Sequence, residues 1–135
     1  METMILSSCR EASDVSAPTV LVVEDELLVR LPIAEYLRDC GYDVLEATDA
    51  GEALSLIEGG HPVDLVFSDV RMPGKMDGFG LASWLNCHRP DVRVLLTSGY
   101  DGRGSAPAKV RGVELIAKPY SQARVANSIH ALLQR

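Results

Sequence analysis

Acidic side chains follow two apolar runs of the chain, where together they could bind a metal ion. Glu24 and Asp25 come after the run TVLVV, and Asp69 comes shortly after VDLVF. If these runs are neighbouring strands, the carboxylates lie roughly 5 Å apart, and at an effective dielectric constant of ~20 each pair repels by roughly 3 kcal/mol. Such a cluster either takes up protons or holds a cation. Oxygen ligands with room for water suit Mg²⁺ better than zinc.

A hydroxyl group and an ammonium group follow two further apolar runs, at Thr97 and Lys118. A carboxylate beside Mg²⁺ and a lysine can attack phosphorus and form an acyl phosphate, because the cations offset charge on the equatorial oxygens in the transition state. The Thr97 hydroxyl could then bond a phosphoryl oxygen. The residue types therefore indicate phosphoryl transfer to a carboxylate.

Short apolar runs predict the strands that would position these side chains. Nearly continuous runs are typical of a parallel sheet covered on both faces, and a more polar run is typical of an edge strand. The predicted strands span residues 19–23, 42–48, 63–67, 92–96 and 113–117, the second being the polar one. Helical spacing between them predicts helices over residues 27–40, 50–58, 79–88 and 121–134, and a short, weak helix over 102–111. Pro32 should kink or delay the first helix, because it lacks a backbone donor.

Alternating strands and helices predict the α/β class, with a doubly wound five-stranded parallel sheet of order 2-1-3-4-5. Ligands bind such a sheet at the carboxyl ends of its strands, where the winding reverses between strands 1 and 3. Each polar residue alone has a simpler explanation; the run from Glu24 to Glu26, for example, suits a helix N-terminus. What favours a functional site is that acids, hydroxyl and base all fall at the carboxyl ends of predicted strands.

Composition excludes several other classes for this 135-residue chain. Its 13 Lys and Arg against 19 Asp and Glu give a net charge of −6, which argues against a nucleic-acid-binding protein. Three widely spaced cysteines (Cys9, Cys40 and Cys87) without a CxxC motif argue against a zinc site or disulfides. The N-terminus lacks the features of a secretory signal, and no segment approaches ~18 consecutive apolar residues. We therefore predict a cytoplasmic protein with a flexible tail over residues 1–18 and one domain over 19–135.

The segments that carry this chemistry are VLVVEDE (20–26), DLVFSDVRMPGKMDG (64–78), VLLTSGY (94–100) and AKPY (117–120). In this combination the sequence resembles the response-regulator receiver domain of two-component signalling, over roughly residues 18–135. The resemblance implies the flavodoxin-like receiver fold, with Asp69 as phosphoacceptor, Thr97 as switch hydroxyl and Lys118 as phosphoryl-binding lysine. It also implies a Mg²⁺ site formed by Glu24, Asp25, Asp69 and the backbone carbonyl of Arg71.

Further features follow from the resemblance, and some depart from it. The Lys118–Pro119 bond is typically cis in this family, and Gly78 matches the glycine that opens the third helix. Leu115 stands where the family often has an aromatic switch residue. The loop MPGKMDG is one residue longer than the commonest form, which should alter its turn. The resemblance also implies that Arg71 and Gly99 occupy positions that tune dephosphorylation in this family.

The implied function is a phosphorylation-dependent signalling switch rather than an enzyme. A histidine kinase or histidine phosphotransfer protein would pass a phosphoryl group to Asp69 in the presence of Mg²⁺, and the added charge would draw in Lys118 and Thr97. Signalling would use the face of strand 4 and the last helix, the fifth one predicted, toward a downstream protein target. We expect no nucleic-acid or membrane partner and at most a weak homodimer. Because the sequence ends at Arg135, directly after the last predicted helix, we expect a stand-alone response regulator.

Other functions on a similar sheet stay open as alternatives. A phosphatase of the haloacid-dehalogenase type needs Asp-x-Asp, but Arg71 stands two residues after Asp69. A nucleotide- or flavin-binding module is suggested by GFGLAS (78–83), although Ser83 replaces the last glycine of GxGxxG. Gly74-Lys75 is followed by methionine, which excludes a P-loop. A receiver that only binds proteins is the last alternative, and the intact set of polar residues argues against it.

Overall fold

A single parallel sheet of five strands organises the computed structural model, which describes residues 17–99 and 113–134. The strands are β1 (Thr19–Val23), β2 (Asp43–Ala47), β3 (Leu65–Asp69), β4 (Arg93–Ser98) and β5 (Val113–Ala117). Their order is β2-β1-β3-β4-β5, and all neighbouring strands are parallel. This confirms the predicted class, the doubly wound sheet and its strand order.

Four helices lie between or after these strands in the described residues. They are α1 (Leu27–Asp39), α2 (Ala50–Glu58), α3 (Gly78–His88) and α4 (Gln122–Leu133). All four were predicted to within a residue or two, with α4 corresponding to the predicted helix over 121–134. The weak helix predicted over 102–111 lies outside the described residues, as does the predicted tail up to residue 16.

Helices cover both faces of the sheet, because successive side chains of a strand point to opposite sides. On one face, Leu21 and Val23 of β1 pack in a cluster with buried residues of α2 and α3. On the other face, Val20 and Val22 pack with buried residues of α1 and α4. All five residues of β1 and of β3 are buried, as expected for central strands covered on both sides. Polar side chains that must meet solvent or ligand are therefore placed at the strand ends.

The third strand begins and ends two residues later than the sequence predicts. Before it, the Asp64 carboxylate accepts a hydrogen bond of 2.8 Å from the backbone N–H of Thr19, outside the ladder. At its other end the ladder continues through Asp69, which is paired with Thr97 of β4. Asp69 is thus the last residue of β3, and its backbone is fixed by the sheet.

The start of α1 differs from that of the other three described helices. Asp49, Asp77 and Ser121 cap α2, α3 and α4 by accepting a hydrogen bond from a backbone N–H in the first turn. Glu26, the N-cap residue of α1, makes no such side-chain bond. Pro32 lies inside α1, which runs continuously from Leu27, so the expected delay of the helix does not occur. The carbonyl that Pro32 leaves without its usual donor is that of Leu28, a residue 88% exposed.

Candidate functional site

An ion pair joins the ends of β3 and β5 at the centre of the site. Nζ of Lys118 lies 2.7 Å from Oδ2 of Asp69, and Oδ1 of Asp69 accepts a hydrogen bond of 3.1 Å from the backbone N–H of Arg71. Burial lowers the pKa of Lys118, but the hydrogen bond and charge of Asp69 outweigh it and raise the pKa above its ordinary value. Lys118 is therefore a cation that holds the carboxylate of Asp69.

The hydroxyl of Thr97 lies in the strand next to Asp69 and is unusually placed for a buried polar group. Thr97 is paired with Asp69 across β3 and β4, and it is 2% exposed. Its Oγ1 has no hydrogen-bond partner among the described residues. Buried hydroxyl groups nearly always have a partner, so this one is available to a group that enters the site.

The surroundings of Glu24 disfavour the ionised form of its carboxyl group. It is 5% exposed, and its Oε2 accepts a hydrogen bond of 3.1 Å from the backbone N–H of Glu26. Burial raises its pKa most, the Glu26 N–H lowers it, and the charge of Asp69 raises it further. With smaller effects of Lys118 and Asp25, the pKa of Glu24 rises from 4.5 to about 7. A cation in the cleft would favour the ionised form.

An open cleft of about 680 Å³ brings the four predicted metal-binding residues together. It is lined by Glu24, Asp25, Asp69 and Arg71, together with Glu26, Val70, Met72, Pro73, Asp77 and Phe79. Among the described residues no group of three or more His, Cys, Asp or Glu forms a ready-made metal site. The donor set still fits Mg²⁺, because this ion keeps several waters and is usually bound by only one or two carboxylates.

The loop after Asp69 is shaped by two glycines. Gly78 opens α3, as predicted, and its N–H donates a bond of 2.8 Å to the carbonyl of Val70. A Cβ at Gly78 would lie 2.8 Å from Cα of Val70, so only glycine allows this approach. Gly74, in the lengthened part of the loop, has a φ of 96°, a conformation that favours glycine. The loop thereby returns to the sheet close to Asp69.

A second, more apolar cleft of about 580 Å³ opens beside Lys118, between α1 and the start of α4. It is lined by Leu28, Val29, Pro32, Ile33, Gly99, Lys118, Pro119, Tyr120 and Gln122. Leu27 and Leu31, exposed by 53% and 38%, extend the apolar surface along α1. Lys118 thus reaches Asp69 from the wall of an apolar cleft.

Sequence reasoning missed Arg30 and Glu46, which support the acidic end of β1. Nη1 of Arg30 donates a bond of 2.8 Å to the carbonyl of Glu24, and its Nε lies 2.9 Å from Oε1 of Glu46. In the sequence, these residues stand out only as an arginine in the first turn of a predicted helix and an acidic residue in a predicted edge strand. Neither residue alone reveals the pairing, since it depends on how α1 lies against β2.

Two further expectations concern β5 and the residues that follow it. The Lys118–Pro119 bond is cis, which confirms the prediction. Leu115 is partly buried and packs against the cluster that contains α2 and α3. The aromatic residue near this strand is Tyr120, which follows Pro119. Its ring contacts Phe67 edge-on, with ring centroids 5.8 Å apart.

A sequence model of the response regulator receiver domain matches residues 20–130 of the chain. The chain belongs to the receiver domain family. It is 38% identical over 130 residues to the sensor kinase CckA of Brucella abortus, covering 93% of this chain and 14% of CckA. It is 43% identical over 88 residues to the transcriptional regulatory protein PdtaR of Mycobacterium tuberculosis, covering 64% of this chain and 42% of PdtaR.

Solved receiver structures share the fold of this receiver domain. The receiver domain of NtrX from Brucella abortus is 31% identical, with a TM-score of 0.76 over 85% of this chain and 98% of that one. The receiver spans between 14% and 52% of the curated relatives considered. In those proteins the matching region is one part of a longer chain.

Proposed function

We propose that Asp69 accepts a phosphoryl group from a phosphohistidine on a histidine kinase or histidine phosphotransfer protein. The observation that carries this proposal is the 2.7 Å ion pair of Asp69 and Lys118 beside the Thr97 hydroxyl, which has no hydrogen-bond partner in the part of the chain that the structure describes. Phosphoryl transfer depends almost entirely on positioning and on stabilising charge. The site brings together a carboxylate nucleophile (Asp69), a cation (Lys118) and a hydroxyl donor (Thr97), which supply this positioning and charge stabilisation.

In the transfer step, a carboxylate oxygen of Asp69 bonds to phosphorus as the P–N bond of the donor breaks. The electron pair stays on the imidazole nitrogen, which takes up a proton from solvent water, and Asp69 becomes an acyl phosphate. Lys118, already a cation next to Oδ2, then binds the phosphoryl oxygens. The Thr97 hydroxyl donates to another phosphoryl oxygen.

We propose that Mg²⁺ is held in the acidic cleft by Glu24, Asp25, Asp69 and the carbonyl of Arg71. When bound, Mg²⁺ offsets the negative charge of the transferred group. The raised pKa of Glu24 supports this site, because it shows that burial and Asp69 disfavour a second negative charge there. These residues hold and orient the cation while Lys118 contributes positive charge from the other side.

Phosphorylation is proposed to be read on the face formed by the end of β4 and by α4. The backbone N–H of Lys118 donates 2.9 Å to the carbonyl of Ser98 in β4. Only two residues separate Lys118 from Ser121, the N-cap of α4. Movement of Lys118 and Thr97 toward a phosphoryl group, which adds about −1.5 to −2 charges, therefore acts directly on both elements.

The apolar cleft beside Lys118 is proposed as the docking surface of the phosphodonor protein. A donor must bring its phosphohistidine to Asp69, and this cleft shares Lys118 with the acceptor site. Leu28, exposed by 88%, lies at its edge and offers an apolar contact to a partner. The acidic cleft on the other side stays open for the cation.

Other expectations stay predictions. A boundary near residue 19 agrees with the family match from residue 20. We propose a stand-alone, cytoplasmic domain that forms at most a weak homodimer. The net charge of −6 supports the absence of a nucleic-acid partner. No helix of the described residues is both long and apolar enough to cross a membrane.

We propose a signalling domain that transfers one phosphoryl group to itself rather than an enzyme for a free substrate.

Incubation with acetyl phosphate and Mg²⁺, followed by intact mass, tests the phosphoacceptor. We expect one phosphoryl adduct on the wild-type chain and none on D69A or after chelation of Mg²⁺. The matched control is D91N, which removes an exposed carboxylate away from the cleft and should label normally. An unmodified wild-type chain would contradict the switch, and a labelled D69A chain would misplace the acceptor.

A further inference from the structure

The turn between β1 and α1 carries both acidic residues of the proposed Mg²⁺ site, and it lacks the usual helix cap. Glu26 makes no capping bond, whereas the N-cap side chains of the other three described helices do. On the strand side, the N–H of Glu24 donates 3.0 Å to the carbonyl of Ala47, which continues the β1–β2 ladder. The peptide group between Glu24 and Asp25 lies beyond that ladder and before the helix.

Arg30 holds this peptide group. Its Nη1 donates a bond of 2.8 Å to the carbonyl oxygen of Glu24, the oxygen of the peptide bond to Asp25. The guanidinium is itself held by Glu46 of the edge strand, with Nε and Oε1 2.9 Å apart. The Arg30 side chain is 14% exposed, so water competes little for these bonds.

We infer that Arg30 is a positioning residue for the Mg²⁺ site, an inference that rests on the proposed function. By binding a backbone oxygen, it fixes the direction in which the Glu24 and Asp25 side chains leave the turn. The two bonds described for Arg30 spare the carboxylates of that pair, which stay available as ligands. Outer residues that orient metal ligands commonly change metal affinity when they are removed.

The chemistry of the position favours arginine over lysine. A guanidinium donates in two fixed directions at once, here to a carbonyl and to a carboxylate. An ammonium group is a compact point charge on a flexible stem and does not reproduce this planar arrangement. Replacing Arg30 with lysine therefore distinguishes a geometric role of the side chain from a general need for positive charge.

Arg38 is a natural control for this inference. It also binds Glu46, with Nη2 and Oε2 3.1 Å apart, and it donates 3.1 Å to the carbonyl of Val44. Its side chain is 42% exposed. Arg38 lies in the last turn of α1, whereas Glu24 and Asp25 precede the first turn of that helix. Arg30 and Arg38 thus share a partner, but only Arg30 contacts Glu24.

The test compares the chains R30M, R30K and R38M with wild type. Calorimetric titration with MgCl₂ measures cation affinity directly, without a phosphodonor. We expect R30M to weaken Mg²⁺ binding by about tenfold, R30K by about threefold because it keeps the charge without the fork, and R38M to bind as wild type does. At saturating Mg²⁺, the rate at which acetyl phosphate labels R30M should return to within about twofold of the wild-type rate, since the acceptor itself is intact.

A second readout uses the metal-free protein. Hydrogen exchange of the backbone amides in the turn after β1 should be faster in R30M than in wild type and unchanged in R38M. Equal Mg²⁺ affinity and equal exchange in R30M and R38M would overturn the inference while the wild-type adduct upheld the proposed function. A wild-type chain that neither labels nor binds Mg²⁺ would overturn both.

Discussion

A buried hydroxyl without a partner sets the energetics of this site at the residue scale. Asp69 and Lys118 satisfy each other at 2.7 Å, whereas Oγ1 of Thr97 has no partner among the described residues. A buried polar atom left in this state costs about 1–3 kcal/mol. Under the proposed function, a phosphoryl oxygen on Asp69 removes this penalty, and the difference favours the conformation in which Thr97 contacts the phosphoryl group.

The substitution T97V separates stability from response. Valine has nearly the same shape without the hydroxyl, so we expect the free energy of unfolding to be equal or up to about 2 kcal/mol higher. The response to phosphorylation should be lost, because the donor to the phosphoryl oxygen is gone. Urea unfolding measures the first effect, and hydrogen exchange of β4 and α4 with and without the phosphoryl mimic beryllium fluoride measures the second. S98A, on the opposite face of β4, is the control; a normal response in T97V would contradict the role of Thr97.

At the scale of elements, apolar pattern and strand order were predictable, and cross-element pairing was not. The runs that form β1 and β5 were predicted to the residue, because continuous apolar stretches suit strands buried on both faces. The ends of β3 were predicted two residues early, because the pairing of Asp69 with Thr97, not local composition, decides where the ladder stops. Arg30 and Glu46 were missed for a similar reason, since their bond joins a helix to an edge strand 16 residues away.

Within these elements, the pairing of α1 with β2 should make stability depend on pH. Burial raises the pKa of Glu46, but hydrogen bonds from Arg30 and Arg38 outweigh it and lower the pKa below 4.5. The resulting stability is fully present above the unfolded value of 4.5 and is lost as the pH falls through the lower folded value. We expect E46Q to lower the free energy of unfolding by on the order of 1 kcal/mol at neutral pH, with the difference shrinking in acid.

Urea titrations at neutral and acidic pH measure this dependence. E35Q, which removes an exposed carboxylate from α1, should leave both the stability and its pH dependence close to those of wild type. An E46Q chain whose deficit is the same at both pH values would show that the lost stability comes from packing and not from ionisation.

At the scale of the whole molecule, the ion pair of Asp69 and Lys118 lies between two clefts of different character. The acidic cleft contains Glu24, Asp25 and Asp69, and the apolar cleft contains Lys118, Tyr120 and exposed leucine surface. Asp69 and Lys118 join them through one ion pair. The proposed cation and the proposed donor protein would therefore approach the carboxylate of Asp69 from different sides, without competing for the same surface.

This separation predicts that a substitution in the apolar cleft changes the rate of phosphoryl transfer from a protein donor but not from a small-molecule donor. Leu28 is 88% exposed, so L28E should change the free energy of unfolding by no more than about 0.5 kcal/mol. We expect transfer from a phosphorylated histidine phosphotransfer domain to slow by roughly tenfold, because the added charge must be desolvated against an apolar partner surface. Labelling by acetyl phosphate should stay unchanged, since the acceptor and the acidic cleft are intact.

The matched control for L28E is S55E, which adds the same charge to an exposed position of α2 on the other face of the sheet. Both chains are compared by intact mass over time, once with a phosphotransfer domain that labels the wild type and once with acetyl phosphate. If L28E slows both donors alike, the change acts on the acceptor and the cleft is not a docking surface. If only S55E slows the protein donor, docking uses the face that carries α2 and α3, and Lys118 is approached from the acidic side.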